Sequence, residues 1–116
     1  MVRIAAASTD GKLINQHFGR ADKFYILEAD EETHAYRIVE IRETVPVCHR
    51  GEHEEAGLEE AIKKLSDCQI VLAGRIGKRA QNGLEGFGIE VFEIPDVIDE
   101  AVDKLIRYRK AQSLFC

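Results

Sequence analysis

A short segment near the amino terminus, NQHFGRA at residues 15–21, combines a potential metal ligand with a cation and a glycine. His17 can bind a metal through a neutral ring nitrogen. Gly19 allows the backbone to approach a ligand closely, and Phe18 is expected to pack beneath the loop. Arg20 adds a positive charge that would attract an anionic ligand. The segment is therefore a candidate binding loop, and a surface or hydrogen-bonded histidine is the alternative interpretation.

A second segment, PVCHRGEH at residues 46–53, adds a thiol and two further imidazoles. Its neighbouring cations would favour the thiolate form of Cys48, which is the form that binds metals and attacks substrates. Thiolate and imidazole ligands together suit iron, zinc or an iron–sulfur species better than calcium or magnesium. Cys48, His49 and His53 do not match a structural zinc finger, because no second pair of cysteines or histidines lies at the usual separation.

A third segment, GRIGKR at residues 74–79, carries three cations between a predicted strand and a predicted helix. Unpaired amide groups at a helix N-terminus favour an anion, and the cations Arg75 and Arg79 would reinforce that preference. The segment, which begins at Gly74, lacks the lysine-serine/threonine ending of a P-loop and the glycine spacing of a dinucleotide fingerprint. Nucleotide binding thus has weak support, and an ordinary connection with solvated cations remains the alternative.

The composition indicates the class of protein in which these loops must be placed. The chain has 116 residues, a net charge of -5 and three cysteines. Its length predicts a single domain, residues 1–116, whose core needs no disulfide bonds. The acidic charge argues against broad nucleic-acid or membrane-surface binding, and the odd number of dispersed cysteines fits a reducing compartment. We therefore expect a cytoplasmic protein without a secretory signal or a membrane span.

The pattern of apolar residues predicts the elements that position the loops. Short apolar stretches rich in aromatic and β-branched residues predict strands at 3–7, 23–28, 36–42, 69–73 and 89–92. Apolar residues at helical spacing predict a helix over about 55–67 and a last helix for which Asp96 is the expected N-cap. A short helix is expected between them, over about 77–85, ended by Gly86 and Gly88. The order β-β-β-α-β-α-β-α predicts an α/β fold around a mixed five-stranded sheet.

The strand directions predict that the three candidate loops meet at one edge of this sheet. If the first three strands form an antiparallel meander, the first and third run in the same direction, and a helical crossover makes the fourth parallel to the first. The loops at 8–21, 43–54 and 74–79 then follow the carboxyl ends of these strands. Because ligands bind at such ends in open α/β sheets, side chains distant in the sequence are expected to converge there.

Several stretches of the chain resemble the dinitrogenase iron-molybdenum cofactor-binding family, which includes NifX, the NafY core and the C-terminal domain of NifB. They are HFGRA at 17–21, IAAAS at 4–8, the loop around Cys48 and residues 83–91. The resemblance implies a ribonuclease H-like fold and non-catalytic binding of the iron-molybdenum cofactor or an iron–sulfur precursor during nitrogenase assembly. His17 matches the motif histidine of the family, and Cys48 is a looser match to cysteines found in that loop in some members.

The first hypothesis is a carrier protein for a metal cluster, with His17 and Cys48 as metal ligands and cofactor-assembly proteins as donor and acceptor. The residues expected to contact the cofactor are His17, Phe18, Gly19, Arg20, Cys48, His49, His53, Gly74, Arg75 and Arg79. The alternative is a small enzyme, either a ribonuclease H-like phosphodiesterase or a catalyst that uses Cys48 with His49 or His53. Asp10 is the only acidic residue near the end of the first predicted strand, which weakens the phosphodiesterase version.

Overall fold

The computed structural model of the chain describes residues 1–44 and 54–114. The described residues form five strands and three helices, in the order that the sequence predicts. The strands are β1 (Val2–Ala7), β2 (Lys23–Ala29), β3 (Tyr36–Glu43), β4 (Ile70–Ala73) and β5 (Glu90–Glu93). The helices are α1 (Glu54–Lys64), α2 (Lys78–Gly86) and α3 (Ile98–Ser113). A 3-10 turn, Phe18–Arg20, lies in the long loop between β1 and β2.

The five strands form one mixed sheet in the order β3-β2-β1-β4-β5. Strand β2 is antiparallel to both β1 and β3, whereas β4 is parallel to β1 and to β5. The predicted meander and the parallel fourth strand are therefore confirmed, as is the α/β class. It follows that β1, β3, β4 and β5 all end at the same edge of the sheet.

Helices cover both faces of the sheet, which explains why β4 is buried along its whole length. The side chains of α1 and α2 pack on one face in a cluster with Phe18 and Phe24. Helix α3 packs on the other face, against β1, β2 and β4. The apolar stripes predicted for α1 and α3 are both buried, at Leu58, Ala61, Ile62 and Leu65 and at Ile98, Ala101, Val102, Leu105 and Ile106. Within the described ranges, no helix is long and apolar enough to cross a membrane.

Two helix boundaries differ from the prediction. Asp96 is not the N-cap of α3, because Val97 occupies that position and no side chain caps it. The carboxylate of Asp96 instead accepts the N–H of Val97 at 2.8 Å and pairs with Lys104 at 2.8 Å. Helix α1 ends at Lys64 rather than near residue 67, since the next residues form a turn closed by the N–H of Cys68.

Asp67 joins this turn to the sheet through two arginines. Its carboxylate accepts hydrogen bonds from Arg42 on β3 and from Arg3 on β1, each at 2.8 Å. The Arg42 guanidinium also donates to the carbonyl of Lys64, the last residue of α1, at 2.5 Å. The hydrogen bonds from Arg42 and then Arg3 hold the pKa of Asp67 well below its usual range, although partial burial opposes them. The ionised carboxylate therefore ties α1 to the sheet.

We expect Asp67→Asn to destabilise the protein at neutral pH and progressively less in acid. The pKa of Asp67 is lower in the folded than in the unfolded chain, so its contribution is complete at pH 7. The contribution begins to decrease as the pH falls below about 4 and is lost only as the pH passes through the lowered pKa of the folded chain. Because the side chain is 45% exposed, screening limits the loss at pH 7 to about 1 kcal/mol or less. Urea unfolding at pH 7, 4 and 2.5 measures the difference.

Glu60→Gln, an exposed change on α1, is the charge-matched control for this experiment. A destabilisation by Asp67→Asn that is the same at all three pH values would contradict the assigned role of the ion pairs.

Candidate functional site

The loop after β1 lies directly against the loop after β4. His17 and Arg75 form an isolated parallel bridge, in which the N–H of Phe18 donates to the carbonyl of Arg75 at 2.8 Å. The N–H of Gly74 donates to the carbonyl of Gln16 at 2.9 Å. These hydrogen bonds form a separate parallel pairing between the two loops, beyond the ends of β1 and β4. The predicted meeting of these two loops at one edge of the sheet is therefore confirmed.

Phe18 anchors the first loop to the core. Its side chain is 1% exposed, and its ring centroid lies 5.6 Å from that of Phe24 on β2. The side chains of His17 and Arg20, on either side of this anchor, are exposed instead of buried. The alternation holds the backbone of the turn in place while it presents an imidazole and a guanidinium to the exterior.

A cavity of about 540 Å³ lies where the two loops meet the first turn of α2. It collects six of the residues that the sequence predicts for the site: His17, Phe18, Gly19, Arg20, Arg75 and Arg79. The remaining lining residues are Leu58, Ile76, Gly77, Lys78 and Ala80. Residues from three separate parts of the chain thus share one concave surface.

The charged side chains that line this cavity, among the described residues, are all positive. Four cationic side chains line it, Arg20, Arg75, Lys78 and Arg79, and none of the described lining residues is acidic. Helix α2 also begins here, with Gly77 as N-cap and no side chain capping its first amide groups. Uncapped amides and the helix dipole add partial positive charge at this end of the helix. The cavity is therefore suited to an anionic ligand.

Gly74 is not among the residues that line the cavity, and its contact with a ligand stays a prediction. A Cβ atom at this position would lie 3.4 Å from the carbonyl oxygens of both Gln16 and Ile14. The absence of a side chain instead allows the β4 loop to approach the β1 loop closely enough for their hydrogen bonds. Gly74 thus affects the site through the packing of the two loops against each other.

Cys48, His49 and His53 lie outside the described residues. The described chain that precedes them pairs with the loop after Arg20, and the chain that follows them reaches the cavity. On one side, the N–H of Thr44 donates at 2.9 Å to the carbonyl of Asp22, two residues after Arg20. On the other side, Leu58 in the second turn of α1 lines the cavity.

His17 is the single potential metal ligand of imidazole, thiol or carboxylate type among the described lining residues. Across residues 1–44 and 54–114, no group of three or more such side chains is arranged to hold a metal ion. The described part of the site can therefore offer one coordinate bond and a positive field. This combination favours a metal species that is itself negatively charged over a bare cation.

Two contributions to the site were missed by the sequence analysis. Leu58 was assigned to the core from its helical spacing, but its position near the start of α1 also exposes it to the cavity. Glu93 at the end of β5 accepts the N–H of Ile76 at 2.8 Å, inside the loop that lines the cavity. The sequence contains no signal for this contact, because it joins the last residue of β5 to a loop that precedes α2.

Comparisons with known proteins agree on one family. Residues 1–108 match the family described as dinitrogenase iron-molybdenum cofactor. The FeMo cofactor biosynthesis protein NifB of Chlorobaculum tepidum is 41% identical over 99 residues, which cover 85% of this chain and 22% of that protein. NifB of Frankia alni is 36% identical over 108 residues, with coverage of 90% and 21%. The chain thus spans about a fifth of the length of these curated relatives.

The fold also occurs in a solved structure of similar size. The apo form of the orange protein from Desulfovibrio gigas superimposes with a TM-score of 0.67 at 24% sequence identity. The match covers 93% of this chain and 89% of the orange protein. At this identity the similarity supports the arrangement of strands and helices alone.

We expect Gly74→Val to separate the two loops of the site. The branches of valine would extend beyond a Cβ that already lies 3.4 Å from two backbone oxygens, so the loops must move apart at a cost of about 1–3 kcal/mol. Amide exchange of Phe18, whose N–H donates to Arg75, should accelerate, and urea unfolding should show the lost stability.

Gly74→Ala is the matched control, because the Cβ alone makes a contact that small shifts can absorb. Unchanged exchange of the Phe18 amide in Gly74→Val would show that close approach at Gly74 does not hold the loops together.

Proposed function

This chain belongs to the dinitrogenase iron-molybdenum cofactor family, and we propose that it is a non-catalytic carrier of an anionic metal–sulfur cluster. The iron-molybdenum cofactor or an iron–sulfur precursor is the proposed cargo. The observation that supports this proposal is the cavity that joins four cations, a helix N-terminus and one exposed imidazole. The curated relatives are named for cofactor biosynthesis, but the chain matches only about a fifth of their length, so their synthetic activity is not assigned to it.

Electrostatic attraction supports reversible binding of such a cargo. Sulfide-bridged clusters carry negative charge, and arginine side chains donate charge-assisted hydrogen bonds to such anions. The cationic side chains Arg20, Arg75 and Lys78 are exposed, so water and salt screen their attraction. A field of this kind can hold a cluster without binding it permanently, which is what transfer to an acceptor requires.

The size of the cavity supports a polynuclear cargo. Its volume of about 540 Å³ is many times the roughly 30 Å³ that one water molecule occupies in the liquid. Apolar groups from Leu58, Ile76 and Ala80 form part of its wall beside the cations. A space of this size can accommodate a cluster of several metal and sulfur atoms.

His17 and Cys48 are the proposed metal ligands. An imidazole and a thiolate are the ligand types that iron–sulfur species accept, and His17 already lines the cavity. Leu58, in the helix that follows residues 45–53, lines the cavity, and the N–H of Thr44 donates to Asp22, two residues after Arg20. These two positions support a contribution from Cys48, His49 and His53. The proposed partners are assembly proteins that donate and accept the cluster.

The finer assignments stay predictions. These include the ribonuclease H-like classification of the fold, the cytoplasmic location and the absence of catalysis. The enzyme alternative requires either a magnesium-dependent phosphodiesterase or a thiol catalyst built on Cys48 with His49 or His53. An assay of phosphodiester cleavage on the same preparations therefore accompanies the loading experiment below.

We expect anaerobic reconstitution with iron and sulfide, with and without molybdate, to load the wild-type protein with a coloured cluster. His17→Asn and Cys48→Ala should each lose most of the visible charge-transfer absorption and bound metal, because each removes a proposed ligand. His34→Asn is the matched histidine control. His34 lies outside the cavity lining and pairs with Asp103 at 2.5 Å, and asparagine tolerates its φ of 66°.

Equal loading of the wild type and both ligand variants would contradict the assigned ligands. Magnesium-dependent cleavage of a phosphodiester by a preparation that acquires no visible bands would instead favour the enzyme alternative.

We also expect the cationic lining to determine the affinity for an anionic probe. Arg75→Gln should weaken the binding of tetrathiomolybdate about two- to fivefold at low salt, because an exposed charge contributes up to about 1 kcal/mol. Raising the ionic strength should reduce this difference. Arg107→Gln is the control, since Arg107 is an exposed arginine on α3 that pairs with Asp103 and does not line the cavity. Equal weakening by both substitutions would show that overall charge, and not the cavity, attracts the probe.

A further inference from the structure

The loop that joins β4 to α2 is held from two sides. On one side, Gly74 and Arg75 exchange backbone hydrogen bonds with the loop after β1. On the other side lies β5, whose last residue, Glu93, stands opposite Ala73 in the sheet. The next hydrogen bond, from the N–H of Ile94 to the carbonyl of Ala73 at 3.0 Å, completes the backbone pairing there. Beyond this point, a side chain must provide the contact between β5 and the loop.

Glu93 provides that contact. Its Oε1 atom accepts the N–H of Ile76 at 2.8 Å in a partly buried position. Ile76 itself is 5% exposed and belongs to the core beneath α1 and α2. Hydrogen bonds to a charged acceptor are stronger than those between neutral groups. The carboxylate therefore fixes the middle of a loop whose residues Arg75 and Gly77 both line the cavity.

We propose that Glu93 is a positioning residue for cargo binding, which holds Arg75 and the first turn of α2 in place opposite His17. This inference rests on the proposed function. Glu93 does not line the cavity and is not a metal ligand; it acts through the amide of Ile76.

Because Glu93 is acidic, two substitutions can separate the effect of its hydrogen bond from the effect of its charge. The carboxylate organises the loop, but it also places an acidic group behind a site that attracts anions. Glutamine preserves an oxygen that can accept the Ile76 N–H and removes the charge. Alanine removes both. Loss of the hydrogen bond should therefore weaken binding, whereas loss of the charge alone should leave the affinity equal to that of the wild type or raise it.

The test measures two quantities in the full chain, the hydrogen exchange of the Ile76 amide by NMR and the affinity for tetrathiomolybdate at low salt. In Glu93→Ala, exchange at Ile76 should accelerate about tenfold, as expected for loss of a charge-assisted hydrogen bond. The affinity should fall by about two- to fivefold, the range expected for loss of the Arg75 charge itself. Glu93→Gln should restore both to at least near the wild-type level. Glu90→Gln is the control on the same strand, because Glu90 pairs with the side chain of Arg109 and not with the loop.

Unchanged Ile76 exchange in Glu93→Ala would overturn the positioning role, whatever the affinities are. Faster exchange with unchanged affinity would show that the contact is structural and does not serve binding. If the wild-type protein fails to bind tetrathiomolybdate, the proposed function and the cargo-binding role both fail, and the exchange data still decide whether Glu93 holds the loop.

Discussion

The site depends on the backbone hydrogen bonds that join the loop after β1 to the loop after β4. Parallel strands bring their carboxyl ends together, but strand pairing alone would leave the loops free to diverge. Here the N–H of Phe18 reaches the carbonyl of Arg75, and the N–H of Gly74 reaches the carbonyl of Gln16. Buried Phe18 holds one loop from below, and Gly74 leaves space for the approach. Together these contacts place an imidazole beside guanidinium groups, and these are the polar groups that the cavity offers to a ligand.

The distribution of charge explains how an acidic protein can present a cationic cavity. The chain has a net charge of -5, yet the described lining of the cavity includes four cations and no carboxylate. Several acidic groups are instead engaged in ion pairs elsewhere, such as Asp67 with Arg42 and Arg3 and Glu28 with Arg37. A ligand responds to the local potential within about a Debye length and not to the net charge. Overall charge therefore predicts little about the ligand of this protein.

The proposed carrier role also accounts for the mixture of rigid and exposed groups at the site. The backbone of the two loops is fixed by hydrogen bonds and by Phe18, whereas His17, Arg20 and Arg75 are exposed to solvent. Because the loops are already ordered, the binding of a ligand costs less conformational entropy. Exposed ligating and cationic groups can release a cluster to a partner without opening the core. The same exposure limits the affinity, because water competes for every group that contacts the cargo.

The sequence by itself determined the elements and the chemistry of the loops. Apolar patterns, together with the glycines and prolines that interrupt them, predicted every strand and helix within a few residues. Burial on a sheet requires period two or a continuous apolar stretch, and burial of a helix requires spacing near 3.6. The order and directions of the predicted strands indicated that the loops carrying His17 and Arg75 meet. Only the tertiary structure decided which side chains line the cavity: Gly74 lies behind it, while Leu58 joins it and Glu93 supports it from β5. These roles depend on distances between residues from different elements, and no local pattern in the sequence encodes such distances.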